Sequence, residues 1–352
     1  MIFASYLLLL AITFLHPIEA FAPELAVYRP ALLLSLFVLA ISVVDAVRTH
    51  RMAARPRHLI LLVALMGAIA LSKAMNGWAG GAIPALTEFF APALLFVVTV
   101  LVVTDTQRLK ATCALIVLCM ALLSVAGIAA YHKGFMRDEL VVAEHGQADY
   151  IQAPEPADII PAEDDSGTRL WRIHSWGFLS DPNDFSQAIV MALPMLMGAW
   201  LRRKPLRNLM RIWVPCALLV YAAYLTHSRG ATLGLGVVIL FGLMRRLGRI
   251  RAGILLGLFA VAIAVAGFTG GRSFSSGEAS AGGRIAAWSE GLTMLASHPL
   301  FGVGYGDFTE HFNYTAHNSF VLCFAELGLL GYFLWVGLIV LVYRELGQAA
   351  TL

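Results

Sequence analysis

From Ala111 to Tyr131 the chain carries no charged residue, and from Pro30 to Val47 it carries only Asp45. About 18–20 apolar residues in helical form are enough to cross a bilayer. A backbone in lipid has no water to bond to, so such runs must be helices that satisfy their own N–H and C=O groups. Comparable runs recur along the chain. Of its 352 residues 59% are hydrophobic and 13% charged, where a soluble domain carries about 25% charge. The alternating ten-residue pattern of a membrane β-barrel is missing. The sequence predicts an all-α polytopic membrane protein with about ten transmembrane helices. They fall at roughly 2–20, 29–47, 58–76, 86–104, 110–131, 183–201, 211–226, 230–244, 252–268 and 318–343.

The distribution of basic residues orients these spans. Connections at 48–57, 108–110, 202–211 and 245–251, with Arg344, hold most of the 25 Lys and Arg. The positive-inside rule puts them in the cytoplasm, together with both termini. Two long loops, 132–182 and 269–317, then face outward. The organisation expected is N-terminal membrane helices over 1–131, an acidic periplasmic loop over 132–182 and central helices over 183–268. A second periplasmic loop over 269–317 leads to a last helix and cytoplasmic tail over 318–352. Ala20-Phe21-Ala22 mimics a signal-peptidase site, but no basic region precedes the apolar stretch, which favours an uncleaved first helix. Cys113, Cys119, Cys216 and Cys323 all fall inside spans and read as small core residues, not as a disulfide framework or a zinc site.

The outer loops carry the residues of chemical interest. Residues 138–168 are acidic, with little to bury, and are expected to be partly mobile. From Arg169 the chain turns aromatic, through Trp171, Arg172, His174 and Trp176. In the second loop Ile285, Trp288, Leu292 and Leu295 recur at helical spacing. They predict a short amphipathic helix over 284–297, lying on the outer membrane surface and stopped by Pro299. Arg284 opens that helix and reads in two ways: as a phosphate ligand beside the free N–H groups of a helix N-terminus, or as a basic residue snorkelling to headgroups. Thr226-His227-Ser228-Arg229-Gly230 is a very short hairpin that holds Arg229 at the membrane edge. A guanidinium there needs a partner or a wet cavity, while the plain alternative is a turn with Gly230 reversing the backbone.

His317 precedes Asn318 and Ser319 where the last span begins. An imidazole there can take a proton from a sugar hydroxyl, and Asn318 or Ser319 can cap the helix. Gly302-Val-Gly-Tyr-Gly306 has neither the preceding strand nor the acidic partner of a dinucleotide loop. It reads as a tight loop passing close to a ligand or another helix. Asp181, Pro182 and Asp184 form a capping pattern for the sixth span, which outweighs a metal site with His174. Lys73 and Glu88, near the outer ends of two spans, either pair with each other or line a cavity.

In their order, these pieces resemble the O-antigen ligase/polymerase superfamily of bacterial glycan-assembly enzymes. The matching stretches are Gly177-Phe-Leu-Ser-Asp-Pro-Asn-Asp184 with Ala192-Leu-Pro194, then Ser228-Arg-Gly230 and Gly283-Arg284 with Trp288. His298-Pro-Leu-Phe-Gly-Val-Gly-Tyr-Gly306, His317-Asn-Ser319 and Glu326-Leu-Gly-Leu-Leu-Gly331 complete them. They cover roughly residues 170–340. The resemblance implies an architecture similar to C-type glycosyltransferases, in a bacterial inner membrane with the active site periplasmic. It implies transfer of a glycan from an undecaprenyl-diphosphate-linked donor to an acceptor hydroxyl on a glycan, lipid A-core or protein; inversion at the anomeric carbon is expected, since a single base is then enough. His317 would be the base; Arg229 and Arg284 would bind the diphosphate; Arg172, His174 and Asn318 are further substrate-binding candidates. No cofactor, metal or nucleic-acid partner is expected. Members often continue with one or two helices past the one equivalent to 318–343, and the acidic loop reads as lineage-specific or as an acceptor-recognition element.

Ligase and polymerase chemistry need the same groups, so the motifs leave that choice open. A transporter or flippase of lipid-linked sugars is a separate class. It would place charges near the bilayer midplane, whereas those here cluster at the outer face, with Asp45 near a cytoplasmic end. A noncatalytic component of a polysaccharide export complex is the third.

Overall fold

The computed structural model describes residues 2–49, 56–143, 162–163, 169–248, 279–313 and 315–349, together with 250–251, 253–255 and 257–258. The helices that matter here are α1 (Ile2–Leu15), α2 (Pro30–Arg48), α3 (Pro56–Met75), α4 (Ala82–Val102) and α5 (Thr106–Lys133). They continue with α6 (Pro182–Leu196), α7 (Val214–Leu225), α8 (Arg229–Leu247), α9 (Ala279–Ser297) and α10 (Ser319–Ala349). Among the described residues six helical stretches are long and apolar enough to cross a membrane: Pro30–Arg48, Arg57–Met75, Ala79–Val102, Thr106–Lys133, Pro205–Leu225 and Ser319–Glu345. Ile2–Leu15 and Arg229–Met244 are shorter apolar helices, and α6 has 15 residues. The protein is thus a helical, multi-pass membrane protein, while the count of ten spans is not established by these helices. Most of the span expected at 252–268 and most of the acidic stretch 138–168 lie outside the described residues.

The chain divides into two compact units that interleave in sequence. The first takes residues 3–31 and 103–274, the second 32–102 and 275–352. In the first, α5, α6 and α7 pack on one another around Met120, Leu123, Phe185, Ile189, Leu219 and Ala222, all buried. α1 contributes Tyr6, Leu9 and Leu10 to the interior. It stops at His16, whose φ of 46° breaks the helix and lays the ring against Phe178, 5.6 Å between centroids.

One feature was not expected of an all-α chain. β1 (Val141–Ala143), β2 (Ala162–Glu163) and β3 (Arg169–Ile173) form a small antiparallel sheet in the order β1-β3-β2. Val141 pairs with Ile173, and Ala143 with Trp171. Valine, isoleucine and tryptophan favour a pleated, half-buried surface, and here such residues sit opposite one another. The sheet joins the two ends of the acidic stretch and holds the residues that follow it.

In the second unit α10 packs on α3 and α9, and α3 packs on α4. Leu62, Leu65, Ile69, Ala85, Ala93 and Leu327 form one apolar cluster; Ala287, Met294, Val303, Phe308, Val321 and Ala325 form another. α10 is broken at Gly328, where φ is 63°. In an unbroken helix the Leu329 and Leu330 N–H groups would bond to the Ala325 and Glu326 carbonyls. The loop 299–304 takes all four groups instead. Leu329 N donates to Pro299 O (2.8 Å) and Leu330 N to Leu300 O (3.3 Å), while Val303 N donates to Ala325 O (2.9 Å) and Gly304 N to Glu326 O (3.1 Å). Two helical bonds are exchanged for four bonds between segments, so no backbone group freed by the break is left bare.

Backbone meets backbone here, and the positions facing each other have no room for a Cβ. One on Gly302 would overlap the Glu326 carbonyl, and one on Gly328 would overlap that of Leu300. Both residues also have positive φ, which glycine alone adopts without cost. Gly302→Ala and Gly328→Ala are each expected to destabilise the protein by at least about 2 kcal/mol. Thermal unfolding in mild detergent measures this; an unchanged midpoint for either variant would contradict the pairing.

Candidate active site

The first unit holds Arg172, His174 and Arg229, and Arg172 bonds to the hairpin at 226–229 that leads into Arg229. α7 ends at Leu225, and Thr226 Oγ1 donates back to Ala223 O at 2.6 Å. The chain reverses at His227, whose φ is 47°. The reversal falls on His227 and not on Gly230, which is already helical. Histidine is among the few non-glycine residues that visit this region with some frequency. Ser228 then caps α8, its Oγ accepting from Ala231 N at 3.4 Å, and Arg229 is the first helical residue. Thr226, His227 and Ser228 are buried, and Arg229 is half-buried.

Arg172 fixes this hairpin from β3. Its side chain is buried; Nε donates to Thr226 O at 2.8 Å and Nη2 to Asn183 Oδ1 at 3.0 Å. One guanidinium thus ties β3, the end of α7 and the start of α6 together. Asp181 caps α6 as its position suggests, accepting from Asn183 N (2.6 Å) and Asp184 N (3.3 Å), with Pro182 at the first helical position. Its carboxylate is therefore occupied by backbone donors.

His174 follows β3. Its backbone N–H donates to Leu140 O and its Nδ1 lies 2.9 Å from Ser175 O. Burial holds its pKa below the ordinary value, against the opposing pull of the Ser175 carbonyl and Asp181. With a depressed folded-state pKa the native state binds fewer protons than the unfolded chain. The stabilisation is complete above about pH 6.5 and is lost as pH falls through the folded value. Acid is expected to lower the melting temperature below that pH, and His174→Gln to flatten the decline; an identical pH profile in the variant would remove His174 from this role.

The second unit holds Arg284, His317 and Asn318. α9 begins at Ala279, not at Arg284, so Arg284 lies in the second turn of the helix. Its own N–H falls within the hydrogen-bonded part, and the argument from a free helix N-terminus does not apply to it. What remains is an exposed guanidinium one turn before Trp288 on the same face. α9 packs on α10 through Ala287, Gly291 and Met294, while Ile285, Trp288 and Leu292 stay exposed. An apolar stripe of that kind is what an interfacial helix presents to lipid.

Trp288 joins this helix to the segment that carries His317. Its Nε1 donates to Ala316 O at 2.9 Å. Ala316 is fully buried and His317, next in the chain, is exposed with φ 46°. Asn318 caps α10, its Oδ1 accepting from Phe320 N at 3.0 Å. The His317 backbone is therefore held on both sides, by the Trp288 bond and by the cap, and its ring is left accessible. Backbone held in a sparsely populated region is a recurring property of functional sites.

The loop that inserts beside Gly328 has a second anchor, on α3. Lys73 Nζ lies 2.5 Å from Asp307 Oδ1, with both side chains largely shielded, 8% and 17% exposed. Asn76 Nδ2 donates to Gly302 O (2.8 Å), and Tyr305 N donates to Ser72 Oγ (3.1 Å). Glu326 Oε1 accepts from Phe308 N at 3.4 Å. The Tyr305 hydroxyl is pushed up to about 12, first by burial and then by the carboxylates of Glu88 and Glu326, so it stays protonated. Lys73 thus pairs with Asp307, 234 residues away, a partner that sequence reasoning missed. Its signal was an ammonium near the end of an apolar helix, where a charge demands company.

Among the described residues no three His, Cys, Asp or Glu side chains gather as a metal site would need. The class so far defined is a multi-pass helical membrane protein with an exposed histidine before a broken helix and an exposed arginine on the helix packed against it. Residues 214–336 match the family model described as O-antigen ligase. The match spans about a third of the chain and supports a likeness to the O-antigen ligase/polymerase superfamily of membrane glycan ligases and polymerases. The match contains Arg229, Arg284, His317 and Asn318; Arg172 and His174 lie before it. A search of curated proteins finds no match to this chain.

Removing one partner of the shielded ion pair leaves the other charge uncompensated. Lys73→Met is expected to cost about 3–5 kcal/mol, and Lys73→Met with Asp307→Leu considerably less. A double-mutant cycle on melting temperature checks this, and additive effects would show that the two do not act as a pair.

Proposed function

We propose that this protein transfers a glycan from undecaprenyl diphosphate to an acceptor hydroxyl at the periplasmic face of a bacterial inner membrane. In this reading both termini are cytoplasmic. His317 accepts the proton of the acceptor hydroxyl as its oxygen attacks the anomeric carbon. The bond from that carbon to the diphosphate breaks, and the electron pair leaves on the diphosphate oxygen. Arg229 and Arg284 meet the charge that develops there, fixed donors being most effective where charge appears in the transition state. One displacement inverts the anomeric centre, so a single base suffices.

The observation that supports this most is the bond from Trp288 to Ala316, which holds the His317 backbone against the helix that carries Arg284. A histidine serving only as a linker residue would need no such support. Arg172 is a positioning residue in this scheme, since its bond to Thr226 O holds the turn that leads into Arg229.

The test is the lipid-linked glycan profile of a strain lacking the protein, restored with wild type, His317→Ala or Arg284→Ala. Each variant is expected to reach the membrane and lower transfer by at least about a hundredfold. Long polymer stranded on the lipid identifies a ligase; single repeat units without long chains identify a polymerase. Normal product from His317→Ala would remove the base from the mechanism. A profile unchanged by loss of the protein would instead favour a noncatalytic role in export.

A further inference from the structure

At one end of the second unit, α3 and α10 frame a groove. Arg57, Ile60 and Leu61 lie at i, i+3 and i+4 on one face of α3. Gly337, Val340, Leu341 and Arg344 lie at i, i+3, i+4 and i+7 on one stripe of α10. Together they line an open cavity of about 460 Å³. Its wall is almost wholly apolar, and Arg57 and Arg344 both contribute to it. Gly337 leaves the inner end unfilled, since nothing lies within 4 Å of where its Cβ would be. From Gly337 to Arg344 the helix rises about 10 Å, so the groove runs a good way along the membrane-spanning part.

The residues beside the two arginines meet each other. His58 follows Arg57 and Glu345 follows Arg344, and His58 Nε2 lies 3.5 Å from Glu345 Oε2. This contact ties the two helices together one residue along the chain from each arginine, and it engages Glu345, the carboxylate next to Arg344 in sequence. Arginine forks match phosphate oxygens bidentately. An aliphatic groove matches an acyl chain. The combination of both on one stripe is the chemistry of an anionic phospholipid.

We propose that this groove holds an anionic phospholipid, with its phosphate between Arg57 and Arg344 and one acyl chain along Gly337, Val340 and Leu341. In the orientation proposed above this is a lipid of the cytoplasmic leaflet. The site shares no residue with the proposed transfer chemistry, and its test does not depend on activity.

The test is native mass spectrometry of the full-length protein in mild detergent, offered phosphatidylglycerol and phosphatidylcholine in equal amounts. Wild type is expected to retain phosphatidylglycerol about tenfold over phosphatidylcholine. Arg57→Gln with Arg344→Gln is expected to bring the two near parity. Gly337→Leu, which fills the inner end, is expected to lower retention of phosphatidylglycerol while both arginines remain. Inorganic phosphate is expected not to displace the lipid. If the double variant fails to fold, as judged by its melting temperature, Arg57→Lys with Arg344→Lys keeps the charge, loses the fork and should lower the preference severalfold. Parity in wild type would overturn the proposal, as would a preference untouched by the arginine variants, which means arginines merely snorkelling. Displacement by inorganic phosphate would mean a free-anion site. Unchanged lipid retention by Gly337→Leu, or a change in oligomer size instead, would mean that the groove holds no lipid or is covered by a second copy.

Discussion

A helix that breaks inside a membrane must hand its freed backbone groups to something other than water. In this protein the break in α10 at Gly328 frees two N–H groups and two carbonyls, and the loop 299–304 takes all four. An unmade hydrogen bond in lipid costs several kcal/mol, so the loop and the break require each other. Gly328 lies nine residues into α10, about 13 Å from its start, so the loop reaches well into the helix's length. The second unit depends on this exchange, because it fastens the chain that follows α9 to the middle of α10.

Side chains then secure what the backbone defines. The shielded pair of Lys73 and Asp307 and the bonds from Ser72 and Asn76 pin the loop to α3. Trp288 pins the chain before α10 to α9, and Asn318 caps α10. His317 sits between these last two restraints with its ring exposed, while Arg284 stands a turn away from Trp288 on α9. The first unit follows the same principle: a buried Arg172 holds the carbonyl of Thr226, and the hairpin it steadies leads into Arg229. In each unit an exposed or half-exposed functional candidate is carried by a backbone that buried polar groups have already fixed. That is the arrangement fixed-charge catalysis needs, since donors that must reorganise during reaction lose most of their advantage.

Much of this was legible in the residues. Apolar runs marked the long helices, with α2, α3, α4 and α5 ending within a few residues of expectation. The capping role of Asp181 and the close approach of the Gly-rich loop to a helix were also readable, because both follow from local stereochemistry. The partners were not. Nothing local in Lys73 names Asp307, and nothing in Gly302 names Glu326, since both contacts join segments far apart in sequence. The small sheet escaped because its strands are two to five residues long. Such strands carry too little pattern to stand out beside acidic neighbours. The start of α9 was placed at Arg284 because the apolar spacing begins at Ile285, yet the helix begins at Ala279 and runs through Gly282 and Gly283.

Amide hydrogen exchange of the full-length protein in mild detergent tests the backbone exchange most directly. If the loop is inserted at the break, the N–H groups of Val303, Gly304, Leu329 and Leu330 exchange as slowly as the interior of α10. Rapid exchange at Val303 and Gly304, at the rate of an open loop, would show that the loop does not pair with the broken helix. The break at Gly328 would then need another explanation.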